Sequence, residues 1–166
     1  MTAITISTPI TAVEELHLAR LVDDFLELID TSRDVGDPAV ERLTPSPYPG
    51  DQGSTAAFAE ATRNDLLDRR AADARRMRAS LGDFDEDPTA LGDAALESRD
   101  LAISLDELDP WLRTLTAIRL VIATRLGITG DDDSGEDGRH QVYDWVGYRL
   151  ELLIQAADDA GAGLGS

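Results

Sequence analysis

The chain has 166 residues, 15 of them basic and 33 acidic, for a formal net charge of −18. It contains no cysteine, which excludes disulfides, thiolate metal sites and thiol redox chemistry. Its length fits one domain able to bury a core, and its charge opposes binding to nucleic-acid phosphates or anionic lipid.

All fifteen basic residues are arginine, and the acids favour Asp (23) over Glu (10). GC-rich coding produces this bias, and so does a salt-adapted surface coated in carboxylates. Only His17 and His140 are present, too few for a multi-histidine zinc site. The longest clean apolar run, Leu120 to Ala123, falls far short of a bilayer span. The N-terminus lacks the basic and apolar regions of a signal peptide, so a cytoplasmic location is expected.

Residues 3–7 alternate β-branched with other side chains, which predicts a short strand. Thr11-x-x-Glu14 has the spacing of a capping box, with reciprocal side-chain and backbone hydrogen bonds at a helix start. The helix should run to about Asp30. Leu18, Leu21, Val22, Phe25, Leu28 and Ile29 form its apolar face, with His17, Arg20, Asp24 and Glu27 opposite. Asp37-Pro38 predicts an N-cap and a single helical turn through Leu43. The proline-rich stretch 44–50 must be extended, because a residue before proline avoids the α region.

From Ser54 to Leu81 the pattern predicts a long helix with Leu67, Ala71, Ala74, Arg78 and Leu81 inward. Its run from Arg69 to Arg78 carries Arg69, Arg70, Arg75, Arg76 and Arg78. Local ion pairs, Asp65–Arg69 and Asp73–Arg76, are one reading. The other is a basic island that docks an acidic protein partner, and these five arginines are the candidate partner-binding residues. A nucleic-acid groove would want interleaved aromatics, which are absent.

Residues 82–99 read as an acidic loop. Leu101-Ala-Ile-Ser104 is a second short strand, followed by a second capping-box pattern, Ser104-x-x-Glu107. Each strand is too short to stand alone, so the two should pair. Pro110 should kink the next helix or mark its restart. From Leu112 to Leu126 that helix is apolar on nearly every side, which predicts a central position, and Gly127 should end it. Arg119 lies within this apolar stretch. It should be buried and paired, with Asp144 as the first choice of carboxylate.

The acidic stretch 131–137 fails as a calcium loop: with Asp133 first, position 3 is Gly135 and position 12 is Asp144. The last helix should span 139–160 with Val142, Trp145, Val146, Leu150, Leu153 and Ile154 inward, and a frayed tail should follow. The expected fold is therefore mainly α: a four-helix bundle-like domain with a small two-stranded β-ribbon. No catalytic, cofactor-binding or metal-ligating residue is assigned.

Four stretches carry a resemblance: Trp111 to Ile128, Tyr143-Asp-Trp-Val-Gly147, Arg42-Leu-Thr-Pro-Ser-Pro-Tyr-Pro-Gly-Asp51 and Phe58-Ala-Glu-Ala-Thr-Arg-Asn-Asp-Leu66. Over about residues 10–155 the chain resembles the actinobacterial AosR-like family, long described as a domain of unknown function and named for an oxidative-stress regulator. The resemblance implies a small non-enzymatic regulator that acts through protein contacts, with an alternative sigma factor as a candidate partner. Its redox role needs cysteines that this chain lacks, and Ala117 stands where relatives carry a polar residue. Nucleic acid and membrane are not expected as direct partners, and self-association stays open. The rival reading is an enzyme of unrecognised type, with a site between the last two helices and the 44–51 loop.

Overall fold

A computed structural model describes residues 4–31, 36–44, 56–81, 92–93, 96–127 and 138–164. The order is β1 (Thr5–Thr11), α1 (Ala12–Thr31), α2 (Pro38–Leu43), α3 (Ala56–Ser80), β2 (Ser98–Ser104), α4 (Leu105–Leu126) and α5 (Gly138–Leu164). Four long helices, one short helix and an antiparallel ribbon agree with the expected fold class.

The ribbon pairs the two segments expected to pair, but each strand is longer than its alternating core. In the register, Ile6 faces Ile103, Thr8 faces Leu101 and Ile10 faces Arg99. Ile6, Thr8, Ile10, Leu101 and Ile103 are all buried, so one face of the ribbon lies on the core. Pro9 fits within β1 because both strands of a two-stranded ribbon are edges. The Leu105 N–H donates to the Ile4 carbonyl at 3.0 Å, which ties the start of α4 to the start of β1.

The first capping box forms in full. Thr11 N–H donates to Glu14 Oε1 at 3.1 Å, and Glu14 N–H donates to Thr11 Oγ1 at 3.2 Å. The second does not form. Ser104 has N-cap backbone angles but makes no side-chain cap bond. Glu107 instead accepts a hydrogen bond from the Ser80 hydroxyl, joining α4 to the end of α3. Tertiary packing has diverted the carboxylate that local spacing assigned to the cap.

In α1, Leu18, Val22, Phe25 and Ile29 are buried while His17, Arg20, Asp24 and Glu27 face outward, as their periodicity predicts. Asp37 caps α2 by accepting from the Ala39 N–H at 2.9 Å. Helix α3 has a narrow buried stripe of Leu67, Ala71, Ala74 and Met77, continued by Leu81 after its end. Arg78, expected inward, is half-buried and pairs with Asp23 of α1.

Helix α4 is central and touches α1, α2, α3, α5 and β2. It runs unbroken through Pro110 rather than restarting there. Proline has no N–H to give the carbonyl four residues back; that carbonyl, on Asp106, lies 3.5 Å from Arg76 Nη2. Gly127 closes the helix in the left-handed conformation, φ 70°, with its N–H on the Ala123 and Thr124 carbonyls.

In α5, Val146 and Leu153 are buried and Trp145 and Leu150 half-buried. Val142 and Ile154, expected inward, are exposed. The helix continues to Leu164, through most of the tail expected to fray. The 44–51 loop beyond Thr44, most of residues 82–99 and the acidic stretch 131–137 lie outside the described residues. Among the described residues, no helix is long and apolar enough to cross a membrane.

Candidate functional site

Four of the five candidate arginines on α3 have partners within the chain, and three of them, Arg70, Arg76 and Arg78, tie α3 to its neighbours. Arg69 pairs with Asp65 at 3.1 Å, the expected i,i+4 pair, with side chains 74% and 62% exposed. Arg70 Nε donates to the Leu43 carbonyl at 3.2 Å, at the C-terminus of α2. Arg76 approaches the Asp106 carbonyl, and Arg78 Nε meets Asp23 Oδ1 at 3.0 Å. Arg75 is exposed. Of the five, Arg69 and Arg70 line a common cleft.

The expected Asp73–Arg76 pair is replaced by a longer-range one. Arg113, on α4, holds Asp73 through two bonds, Nε–Oδ2 at 2.8 Å and Nη2–Oδ1 at 3.1 Å. The planar guanidinium matches both carboxylate oxygens. Asp73 bonding raises the Arg113 pKa. Between α3 and α4 lies a cleft of about 500 Å³ lined by Leu66, Arg69, Arg70, Ala72, Asp73 and Arg113. Among the described residues, three guanidiniums and one carboxylate line it, with Asp65 paired to Arg69 and the charge of Asp109 acting on Arg113. Burial lowers the Arg70 pKa, opposed by the charge of Asp73. Among the described residues, Arg70 has no carboxylate within ion-pair distance. Arg113 was not legible in the sequence, because α4 reads as a core helix and only the packing brings this residue to Asp73 of α3.

The expected buried pair Arg119–Asp144 is not formed. Asp144 is exposed and Arg119 half-buried. The Arg119 guanidinium carbon sits 4.1 Å from the Tyr143 ring centroid. Gly147 leaves room for it: a β-carbon there would lie 3.0 Å from Arg119 Nε. The aromatic face takes the place expected of the carboxylate, and Arg119 Nε is buried without a hydrogen-bond partner among the described residues.

A second cluster joins β1, α1 and α5. Glu14 Oε2 accepts from Trp145 Nε1 at 3.1 Å and from Arg149 Nη2 at 2.7 Å. Arg149 Nη1 donates to the Pro9 carbonyl at 2.6 Å. Its side chain is only 7% exposed, against 30% for Glu14. Burial pushes the Glu14 carboxyl up, but hydrogen bonds from Arg149, the Thr11 backbone, Trp145 and the Thr11 hydroxyl outweigh it and hold the pKa at about 2. Sequence spacing gave no sign of this set, since residues 9, 14, 145 and 149 meet only through the fold.

Beside the cluster, α1 and α5 diverge into a groove of about 510 Å³ lined by Glu14, His17, Arg20, Leu21, Asp24, Gln141, Val142 and Trp145. His17 is exposed and His140 half-buried. Among the described residues, no three His, Asp or Glu side chains are grouped to hold a metal ion.

Among the described residues, two further ion pairs join elements of the fold. Arg99 of β2 binds the buried Glu15 of α1 through two bonds, one at 2.8 Å. Arg125 of α4 reaches Asp37 Oδ2 at 2.7 Å, and this bond holds the Asp37 carboxyl below its usual pKa. No curated protein and no solved structure matches the chain. A family profile matches residues 2–157, a span that holds both strands, the first four helices and most of α5. The chain belongs to the family described as a domain of unknown function, DUF2017.

Proposed function

We propose that this chain is a non-enzymatic protein-interaction module in stress-linked regulation, an AosR-like protein that works without thiol sensing. An alternative sigma factor is the candidate class of partner. The observation that carries the reading is the arginine-lined cleft between α3 and α4. A molecule of charge −18 repels acidic partners at long range, but salt screens exposed charges beyond ~8 Å. Inside the cleft, an incoming carboxylate meets Arg69, Arg70 and Arg113 at close quarters.

Each of the three is suited to that encounter for a different reason. Arg70 has lost water to burial, feels the charge of Asp73 and, among the described residues, donates to a backbone carbonyl, so a further carboxylate restores what burial removed. The Arg69–Asp65 pair is exposed, worth less than ~1 kcal/mol, and exchanges readily for another acid. Arg113 is oriented by its two bonds to Asp73. The partner segment is accordingly acidic, and its binding weakens with salt.

The test places a competing carboxylate in the cleft. Ala72 is exposed on α3 and lines the cleft, so Ala72→Glu leaves the core intact. Ala102→Glu adds the same charge on the exposed face of β2. Partners captured from native cells are purified and titrated against each variant. Wild type and A102E should bind alike, with A72E weaker by about tenfold, ~1.4 kcal/mol. A partner bound equally by A72E and wild type refutes the assignment.

A further inference from the structure

The groove between α1 and α5 has an apolar floor, and its exposure breaks a pattern. Val142, Val146, Arg149 and Leu153 follow one another along the inward face of α5. The last three are buried, yet Val142 is 37% exposed. Half-buried Leu21 and Trp145 complete the floor. The indole N–H of Trp145 is already engaged by Glu14 and so is not available to a ligand. Along α1 the lining runs from Glu14 to Asp24, about 15 Å of helix, or close to three turns.

Charge selects the occupant. Asp24 and Glu27 are exposed along α1, and Asp144 is exposed on α5 beside Trp145. Among the described residues lining the groove, Arg20 is the one arginine, beside His17, Glu14 and Asp24. A second copy of the chain would bring another −18 against this rim, whereas a cationic segment is attracted to it. We infer that this groove is a docking site for a basic amphipathic helix of a partner protein. The helix lays apolar side chains at i, i+3, i+4 and i+7 on Leu21, Val142 and Trp145, with its arginines or lysines against Asp24 and Asp144. Such helix-in-groove binding draws its affinity from apolar burial and its orientation from the charged rim. The surface is separate from the arginine cleft and does not depend on it.

The probe is a synthetic peptide of about four turns with leucines at helical spacing and lysines elsewhere, beside a scrambled peptide of the same composition. Trp145 emission and the anisotropy of labelled peptide report binding, while Trp111, in the core, is a silent reference. The amphipathic peptide should bind more tightly than the scrambled one. Val142→Asp adds a negative charge, so plain electrostatic attraction would strengthen, while docking in the groove should weaken by about tenfold. His17→Trp, at an exposed position on the opposite wall, narrows the groove without adding charge and should also weaken binding. Equal binding of the two peptides, or V142D binding as tightly as wild type or tighter, overturns the inference.

Discussion

Replacing Arg149 with Met removes the cation that joins three elements while keeping a straight apolar stem in place. Two groups then lose a donor: Glu14 Oε2, bonded at 2.7 Å, and the Pro9 carbonyl, bonded at 2.6 Å. Breaking one side of a buried ion pair costs about 3–5 kcal/mol. Glu14 is 30% exposed and keeps donors from Thr11 and Trp145, which brings the expected loss to about 3 kcal/mol. For a chain of this size that lowers Tm by about 6–12 °C. The pH dependence supplies a second signature. Glu14 is held at about 2 in the fold against 4.5 when free, so its stabilisation is complete above 4.5 and is lost as pH falls through 2. Discounted for solvent screening, this term is about 1–3 kcal/mol. In Arg149→Met the carboxyl returns toward its usual value, so the gap from wild type should be full at neutral pH and narrow as pH falls below about 5. Urea unfolding at neutral and acid pH, followed by circular dichroism, measures both. A variant within about 0.5 kcal/mol of wild type, or a gap that does not change with pH, refutes the assignment.

Arg119→Ala should cost about 1 kcal/mol, the range of a partly desolvated cation–π contact, rather than the loss expected of a buried ion pair. Gly147→Ala should stabilise α5 by up to ~1 kcal/mol in the Arg119→Ala background but by less in wild type, where the new methyl crowds the guanidinium; thermal unfolding of the four-variant cycle reads the coupling. Met77 is fully buried, so mild peroxide should oxidise it only after unfolding, as peptide mass spectrometry would reveal, and no peroxide-driven crosslinked dimer should form in a chain without cysteine. Duplex DNA at micromolar protein should give no gel shift, because arginines of α3 are engaged by Asp65, Leu43 and Asp23 and the net charge is repulsive.

Features set by neighbours in sequence were legible before the fold was known. The Thr11–Glu14 box, the Asp37-Pro38 cap, the Gly127 stop and the apolar faces of α1 and α4 depend on spacings of one to four residues, where backbone geometry alone brings groups together. The ribbon was legible because two short alternating segments need each other to satisfy their backbones. Charged partners were not legible in this way. Asp73 could reach Arg76 by helical spacing, yet it binds Arg113, whose planar fork arrives from α4 with better geometry. Glu107 left its local cap for Ser80, and Arg119 found an aromatic ring where a carboxylate was expected. Both candidate surfaces follow the same rule: the cleft needs Arg113 beside Arg69 and Arg70, and the groove exists only where α1 and α5 diverge. The sequence determined which helices form and which faces they bury, because periodicity is a local property. Which ion pairs close, and which apolar residue is left uncovered, depended on how those helices pack, because long flexible side chains take the best-placed partner within reach rather than the nearest one along the chain.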